Sequence, residues 1–354
     1  MLLKIQKLLA LIFFLLCCHV IASQAVANFS TAVGEHINSE VPSVSSNRIL
    51  IASPTPRRCG PLAPAGFEQQ QLRFSRGTLR DVVSQSDWNS QRSIAVGYSG
   101  SSRFFQNARM VVVAVDGSRG WTQVRSAAFG RGALFTISRH GNTVITAGQD
   151  QNAKQVIIQS TNNGRSFQVV FTGGSGTLYG SCIDGRVGFA VGTLTPEARS
   201  SSISGGSPTV LRTTDGGRRW NPVRHIPWVR GSSDSTALSR LGERVTLRGV
   251  ACRGPRRVVV VGSTQRSNSR SSSMAVSFQT IWYSMDGGLT FTAATGFGRK
   301  PGARFSTAGE LHDVSLTQSM VAYACGVQSG STGEVVSSRV ASCQVVWYIL
   351  LLID

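Results

Sequence analysis

The chain has 354 residues, 41% of them hydrophobic, which excludes a sequence too small or too polar to bury a large core. Size alone does not separate one repeat domain from two ordinary domains. With 36 basic and 17 acidic residues, the formal net charge is +19. Such a charge suits an acidic protein, a polyanionic sugar, an anionic membrane surface or nucleic acid, and composition alone also produces it. No motif points to nucleic acid, and we expect none as a partner.

Residues 1–27 have the pattern of a secretory signal peptide. Two lysines precede an apolar run from Leu8 to Ala22, and small residues ending at Ala27 form a cleavage site. An uncleaved signal anchor is the alternative. No later apolar run reaches the roughly 18 residues that a membrane span needs. We therefore expect a mature chain that has no transmembrane span and lies outside the cytosol.

Residues 28–77 are rich in Ser, Ala, Pro and Arg and keep no hydrophobic period, so they are expected to form a flexible leader. A glycosylation sequon at Asn28 lies directly at the expected cleavage point. A signal peptide followed by such a stretch is also typical of the two-part address to a plastid. The thylakoid lumen and the extracellular space therefore both stay open as locations. A lone first strand is predicted near residues 67–72.

Five internal repeats follow between residues 78 and 348. Each unit begins with a leucine, continues to a strand that ends in glycine, and reaches a third strand followed by a turn and an aromatic residue. The strands are short and β-branched, and they occupy about forty residues per unit, as in the four-stranded blade of a propeller. The sequence therefore predicts an all-β propeller. The leading leucines are Leu79, Leu134, Leu178, Leu247 and Leu311.

The turn after the third strand matches the Asp-box pattern, Ser/Thr-x-Asp-x-Gly-x-x-Trp/Phe. Glycine tolerates a positive φ and aspartate bonds nearby amides, so we interpret the box as structural and predict no catalytic residue in it. The aromatic residue is expected to pack between sheets. Two copies are complete, at Thr213, Asp215, Gly217 and Trp220 and at Ser284, Asp286, Gly288 and Phe291; one has Asn for Asp, at Ser160, Asn162, Gly164 and Phe167; and one is degenerate, at Asp116 and Trp121.

The linked pattern resembles one family in particular. LRDVV or LRGVA, then AVG or VVG, then LRTTDGG or YSMDGG with Trp or Phe, is similar to the photosystem II stability and assembly factors of the thylakoid lumen. The resemblance covers about residues 67–348. It implies a seven-bladed propeller that holds a photosystem II reaction-centre subunit without catalysis. Sialidases and sortilin-type receptor domains share the Asp-box.

The fifth unit departs from the pattern at its end. Gln344–Tyr348 runs into an atypical apolar tail, residues 349–354, where the Asp-box turn should follow. We expect a chain truncated from a longer, seven-bladed propeller. A five-bladed ring, closed by the strand near residue 67 pairing beside Gln344–Tyr348, is the alternative.

Strand alternation sorts many arginines onto one face. Connections between blades lie opposite the Asp-box turns, and guanidinium groups bind carboxylates in bidentate fashion. We therefore predict a basic face that binds an acidic or peptide segment of a client protein, with merely solvated loops as the alternative. We expect a monomer. The connections contribute Arg125, Arg131, Arg224, Arg230, Arg240, Arg244, Arg299 and Arg304.

Two other functions stay open, a secreted peptide-binding receptor and a sialidase-type glycosidase. Acidic residues are scarce, and the scattered histidines form no Ser/His/Asp or Cys/His arrangement, so we favour a protein that is not an enzyme. No cofactor or metal is expected. Cys325 and Cys343 flank one loop on neighbouring strands, which predicts either a disulfide in an oxidising compartment or two buried thiols.

Overall fold

The computed structural model describes residues 31–37, 45–52, 67–71, 77–87, 90–100, 107–116, 121–195, 207–224, 243–267, 275–293, 309–316, 322–328 and 340–346. The strands pair antiparallel, and these residues include no α-helix. No described helix is therefore long and apolar enough to cross a membrane.

Consecutive sheets are arranged as propeller blades. An N-terminal sheet of β1 (Thr31–Ile37), β2 (Ser45–Ala52) and β3 (Phe67–Gln71) precedes blade 1, and five blades follow. Blade 1 contains β4 (Gly77–Asp87), β5 (Ser90–Ser99), β6 (Arg109–Asp116) and β7 (Thr122–Gln123); blade 2 contains β8 (Gly132–His140), β9 (Thr143–Asp150), β10 (Lys154–Ser160) and the first part of β11 (Gln168–Asp184).

Blade 3 contains the rest of β11, which the two blades share, with β12 (Val187–Leu194), β13 (Ser207–Thr213) and β14 (Asn221–Pro222). Blade 4 contains β15 (Glu243–Arg253), β16 (Arg257–Ser267), β17 (Ala275–Ser284) and β18 (Thr292–Ala293), and blade 5 contains β19 (Gly309–Leu316), β20 (Ala322–Gln328) and β21 (Val340–Val346). The first strand of each blade lies against the sheet before it. The predicted all-β propeller is confirmed.

The apolar core lies between blades, because each sheet is apolar on both faces. Phe167 packs with Ile94 of blade 1 and Leu134 of blade 2. Trp220 joins the cluster between blades 2 and 3, and Phe291 joins the cluster between blades 3 and 4. Each Asp-box aromatic side chain that the structure places in a buried cluster therefore binds its own blade to the preceding one.

The repeated leucine and glycine form a β-bulge in each blade. The leucine of the first strand pairs with the glycine that ends the second strand, and the register shifts directly after it. A Cβ on that glycine would overlap the carbonyl oxygen of the residue before the leucine, so the bulge requires glycine there. The extra residues of the five bulges, which the register skips, are Arg80, Phe135, Tyr179, Arg248 and His312.

The expected leader differs from the structure. β1 and β2 lie within residues 28–77, β1 pairs with β2, and β2 pairs with β3, so the strand near residue 67 is not a lone strand. The serine-rich composition concealed the β-branched and apolar residues of these strands, among them Ile49 and Ile51. The N-terminal sheet lies against β4. Residues 1–27, Asn28 and the tail 349–354 lie outside the described residues.

The closing pair considered from the sequence does not form. β3 pairs with β2, and β21 pairs with β20. β3 has the sequence FEQQQ, with one apolar residue and no alternation of polar and apolar residues, so sequence could not choose between the two neighbours.

The structure contains a disulfide that the sequence did not predict. Cys182 of β11 is bonded to Cys252 of β15, and this disulfide joins blades 3 and 4. Cys325 and Cys343 face each other in the register of β20 and β21, but their side chains lie outside the described part of the structure. A separation of 70 residues between the bonded cysteines concealed the pair from sequence reasoning.

Candidate functional site

The bulged residues of the five blades form a continuous belt of side chains. A bulge turns the extra residue out of the regular alternation of the strand, so these residues are displayed instead of packed between blades. The first strand of each blade starts at the edge where the second strand ends, whereas the Asp-box turns follow the third strand at the other edge. The belt therefore lies on the face opposite the Asp-box turns.

Cations and aromatic rings alternate along the belt. Arg80 lies 5.5 Å from the ring of Tyr98 and 6.0 Å from the ring of Phe135, and its Nη2 donates a 3.2 Å hydrogen bond to the Tyr98 hydroxyl. The rings of Phe135 and Tyr179 meet edge to face with centroids 5.5 Å apart. Arg248 lies 5.4 Å from the Tyr179 ring. These distances are those of cation–π and aromatic pairs.

The last blade adds the acidic member of the belt. Glu310 Oε2 lies 3.2 Å from Arg248 Nη2 and 3.7 Å from Nε2 of His312. All three side chains are partly exposed, so these contacts are accessible to a competing carboxylate. The belt thus offers two guanidinium groups, one of which is already paired with an exchangeable acid.

A buried polar layer lies beneath the belt. Asp81 accepts a 2.8 Å hydrogen bond from the amide of Ile137 in the next blade and another from the amide of Val82. Thr136 Oγ1 is 3.0 Å from the amide nitrogen of Ser181, in the blade after that. The hydroxyl groups of Thr136 and Ser181 are 3.1 Å apart. These bonds fasten the first strands of consecutive blades to one another.

Two aspartates of this layer have unusual acidity. Burial raises the pKa of Asp81 to about 7, against the lowering effect of the Ile137 amide, and the charge of Asp313 raises it further. Burial also raises the pKa of Asp313, which occupies the same position in blade 5. Each aspartate carries an amide hydrogen bond from the residue that follows it.

The Asp-box turns have the opposite electrostatics. Asp215 accepts hydrogen bonds of 3.0 Å from the amides of Arg218 and Arg219, and the Thr213 hydroxyl donates to it at 2.9 Å. Desolvation acts to raise the pKa of Asp215, but these donors outweigh it and hold the pKa below its usual value. Desolvation also acts to raise the pKa of Asp286. Hydrogen bonds, the strongest of them from Thr290, outweigh this effect and lower the pKa to about 2.

The same turn forms with asparagine in blade 2. Asn162 Oδ1 accepts hydrogen bonds of 2.9 Å from the Ser160 hydroxyl and the Ser166 amide, and Ser160 Oγ accepts the Gly164 amide at 2.8 Å. In the degenerate first copy, Asp116 ends β6 and Trp121 packs near Leu79. Carbonyl and carboxylate oxygens can both accept these amides, so the turn needs the acceptor and not the charge.

The described residues include only part of the predicted arginine face. Arg125 and Arg131 are exposed in the connection between β7 and β8. Arg244 lies in β15, opposite Gln265 of β16. Arg224 differs from the prediction, because it lines a cleft beside Gly288 and Leu289 of the next Asp-box turn. β14 is only two residues long, so Arg224 stays near the turn edge. The others, Arg230, Arg240, Arg299 and Arg304, lie outside the described residues.

Sequence reasoning missed the belt. Its signal was present, because the residue after each leading leucine is large and polar or aromatic in every unit. If side chains alternated strictly along the strand, the residue after the leucine would lie on one face of its blade. The bulge instead places this residue of every blade on one surface, the belt. Among the described residues, no group of three or more His, Cys, Asp or Glu side chains could hold a metal ion.

The fold and the turns define an Asp-box β-propeller. No protein-family model and no curated protein matches the chain. Among solved structures it is similar to YjhT, with a TM-score of 0.47 and 7% identity over 84% of this chain and 91% of that chain. It is also similar to the GH93 α-L-arabinofuranosidase of Fusarium graminearum, with a TM-score of 0.38 and 11% identity over 75% of this chain and 92% of that chain.

A GH74 enzyme of Niastella koreensis has a TM-score of 0.38 and 14% identity over 71% of this chain. The chain spans only 33% of the length of that enzyme. Identities this low carry no information about activity.

Proposed function

We propose that the protein is a non-enzymatic binding scaffold that holds an acidic, extended segment of a partner protein across the belt. The observation that carries this proposal is the unbroken series of contacts from Tyr98 and Arg80 through Phe135 and Tyr179 to Arg248. Guanidinium groups bind carboxylates, and the two rings between them offer apolar surface at low entropic cost. A segment with acidic residues flanking an aromatic or aliphatic one fits this order.

The resemblance to photosystem II assembly factors suggests the finer form of the proposal, in which the partner is a subunit of a membrane-protein complex of that kind. The chain would then work in a thylakoid lumen. The Cys182–Cys252 disulfide supports an oxidising compartment, which the lumen or the extracellular space would supply. A secreted receptor for peptides would use the same belt, and localisation of a tagged copy separates the two.

The binding test uses a fluorescein-labelled nonapeptide of Asp, Glu and Phe, with a control peptide in which Asn and Gln replace the acids. Fluorescence anisotropy is measured with the full chain and with two doubly substituted variants that lose the same charge. Arg80→Gln with Arg248→Gln removes the belt cations, and Arg125→Gln with Arg131→Gln removes two exposed arginines outside it.

We expect the belt variant to bind the acidic peptide at least about tenfold more weakly, because each charge-assisted contact is worth about 1.5–3 kcal/mol. The connection variant should change affinity less than about threefold, because exposed charges contribute little. Equal losses in both variants, or equal binding of the acidic and neutral peptides, would remove the proposal.

A glycosidase is the second candidate, and one observation favours it. Asp81 and Asp313 are two carboxyl groups of raised pKa near one another, as general acid–base catalysis requires. Against it, both oxygens of Asp81 accept backbone amides and serve to fasten the blades. Fluorogenic sialoside and arabinofuranoside assays test it, and turnover that is lost in Asp81→Asn would establish the enzyme.

A further inference from the structure

A cleft of about 260 Å³ lies on the Asp-box side of the molecule, between blades 3 and 4. One wall comes from β13 and β14 with the residues that follow, and the other comes from the Asp-box turn of blade 4. It is separate from the belt, which lies at the other edge of the sheets. The lining residues are Arg212, Thr214, Asn221, Pro222, Val223, Arg224, Gly288 and Leu289.

Arg212 is one of two arginines that line the cleft. It precedes the Asp-box threonine and lies opposite Asn221 in the register of β13 and β14. Its Nε is buried and makes no hydrogen bond within the described part of the chain. The guanidinium group is held against Gly287 of the next turn, where an added Cβ would lie 3.4 Å from Nη2. A buried guanidinium N–H without an acceptor is costly unless a ligand supplies one.

The corresponding residue of blade 2 shows what distinguishes Arg212. Gln159 also precedes its Asp-box serine, and its Nε2 donates a 2.6 Å hydrogen bond to the carbonyl of Gly216 in the next turn. That side chain is therefore used to join blades 2 and 3. In blade 3 the longer arginine reaches the corresponding turn of blade 4 at Gly287 but keeps a buried donor, and a second guanidinium, of Arg224, lines the same cleft.

Charge and shape together define the ligand. The cleft is lined by two arginines and no acidic residue, so it favours an anion. Leu289 is 58% exposed at its edge, beside Val223 and Pro222, so an apolar group of the ligand would be covered there. The volume is below that of a site for a drug-sized molecule, which indicates a small ligand.

We propose that this cleft is a second binding site, for a small carboxylate that bears an aliphatic group. The carboxylate accepts hydrogen bonds from the guanidinium groups of Arg212 and Arg224, and the aliphatic group packs on Leu289. This site is independent of the belt, so its failure and the failure of the proposed scaffold function are separate results.

The probe is N-acetyl-leucine, with N-acetyl-leucinamide as its uncharged counterpart, titrated into the full chain by calorimetry and ligand-observed NMR. Three variants are compared: Arg212→Gln, Leu289→Ala and Arg218→Gln. Arg218 is exposed in the Asp-box turn of blade 3, between β13 and β14, and does not line the cleft, so it controls for loss of one charge.

We expect saturable binding of the acid and at least about tenfold weaker binding of the amide, since the amide loses the charge-assisted bonds. Arg212→Gln should weaken binding of the acid by a similar factor, and Arg218→Gln should weaken it by less than about twofold. Leu289→Ala changes only an exposed side chain, so the fold should be kept. This variant should weaken binding of the acid several-fold. Absence of saturable binding, equal binding of acid and amide, or an effect of Arg218→Gln as large as that of Arg212→Gln would overturn the proposal.

Discussion

Aspartates near the two edges of the blades have pKa values shifted in opposite directions. At the turn edge, Asp215 and Asp286 are surrounded by amide and hydroxyl donors, and their pKa values are lowered. In the layer beneath the belt, burial raises the pKa values of Asp81 and Asp313. The first pair is charged and holds turns, whereas the second pair resists ionisation, and Asp81 fastens blade 1 to blade 2 through the amide of Ile137.

The comparison extends to how the sequence varies between repeats. In blades 2, 3 and 4 the turn edge repeats nearly the same residue types, because these turns share the same hydrogen bonds and a buried aromatic side chain. At the belt, the bulge recurs but its residue changes from Arg80 to Phe135, Tyr179, Arg248 and His312. Repetition therefore marks what the fold needs, and variation at a repeated position marks the surface available for binding.

If the turn edge supplies stability, loss of the Cys182–Cys252 disulfide should have the largest effect. It closes a separation of 70 residues, for which chain entropy gives a stabilisation of about 4 kcal/mol. Urea unfolding of the double variant Cys182→Ser and Cys252→Ser should show a loss approaching that value, and wild type in reductant should match it. Two free thiols in the unreduced protein by mass spectrometry would contradict the disulfide.

The next largest effect is expected at the Asp-box glycine of blade 4. Gly288 has a φ of +78°, and a Cβ there would collide with the ring of Phe189 from blade 3. Gly288→Ala should cost about 2–4 kcal/mol from strain and overpacking. Gly216→Ala is the matched control, because its φ is +77° but no atom lies within 4 Å of an added Cβ.

Equal unfolding free energies for Gly288→Ala and Gly216→Ala would mean that only the backbone conformation matters. The control should lose about 1 kcal/mol, the cost of a positive φ alone.

The contributions of Asp81 and Asp286 to folding stability should depend on pH in opposite directions. The folded pKa of Asp81 is raised, so its contribution to stability is complete below about pH 4 and is lost as pH rises through about 7. Asp81→Asn should remove that decline between about pH 4 and 7. The folded pKa of Asp286 is lowered, so its contribution is present above about pH 4 and is lost as pH falls toward 2.

Thermal unfolding of wild type, Asp81→Asn and Asp286→Asn across pH 2–8 measures both slopes. A decline between pH 4 and 7 that persists unchanged in Asp81→Asn would show that Asp81 is not its source.

The smallest effect on stability is expected at the belt. Arg80 is exposed, so Arg80→Gln should change the free energy of unfolding by no more than about 0.5 kcal/mol. Urea unfolding checks this beside Arg125→Gln, another exposed arginine. If Arg80→Gln lowered the free energy of unfolding by more than about 2 kcal/mol, the belt would serve to stabilise the fold and not as an accessible binding surface.

The sequence predicted the blades well because they rest on local chemistry. The Asp-box of Thr213–Trp220 and the leucine–glycine pairs are short patterns whose physical cause lies within one hairpin or turn. The belt and the disulfide depend on how neighbouring blades are set against each other. Cys182 follows its leucine by four residues and Cys252 by five, so the two positions do not correspond in the repeat although they meet in space.

The most direct test of the belt as a binding surface is photo-crosslinking. An acidic nonapeptide carrying benzoylphenylalanine at its centre is irradiated with the full chain, and the crosslinked residues are identified by mass spectrometry. We predict crosslinks to Tyr98, Phe135 and Tyr179, which an excess of unlabelled acidic peptide abolishes. Crosslinks confined to the connection of Arg125 and Arg131, or to the Asp-box turns, would contradict the proposed binding surface.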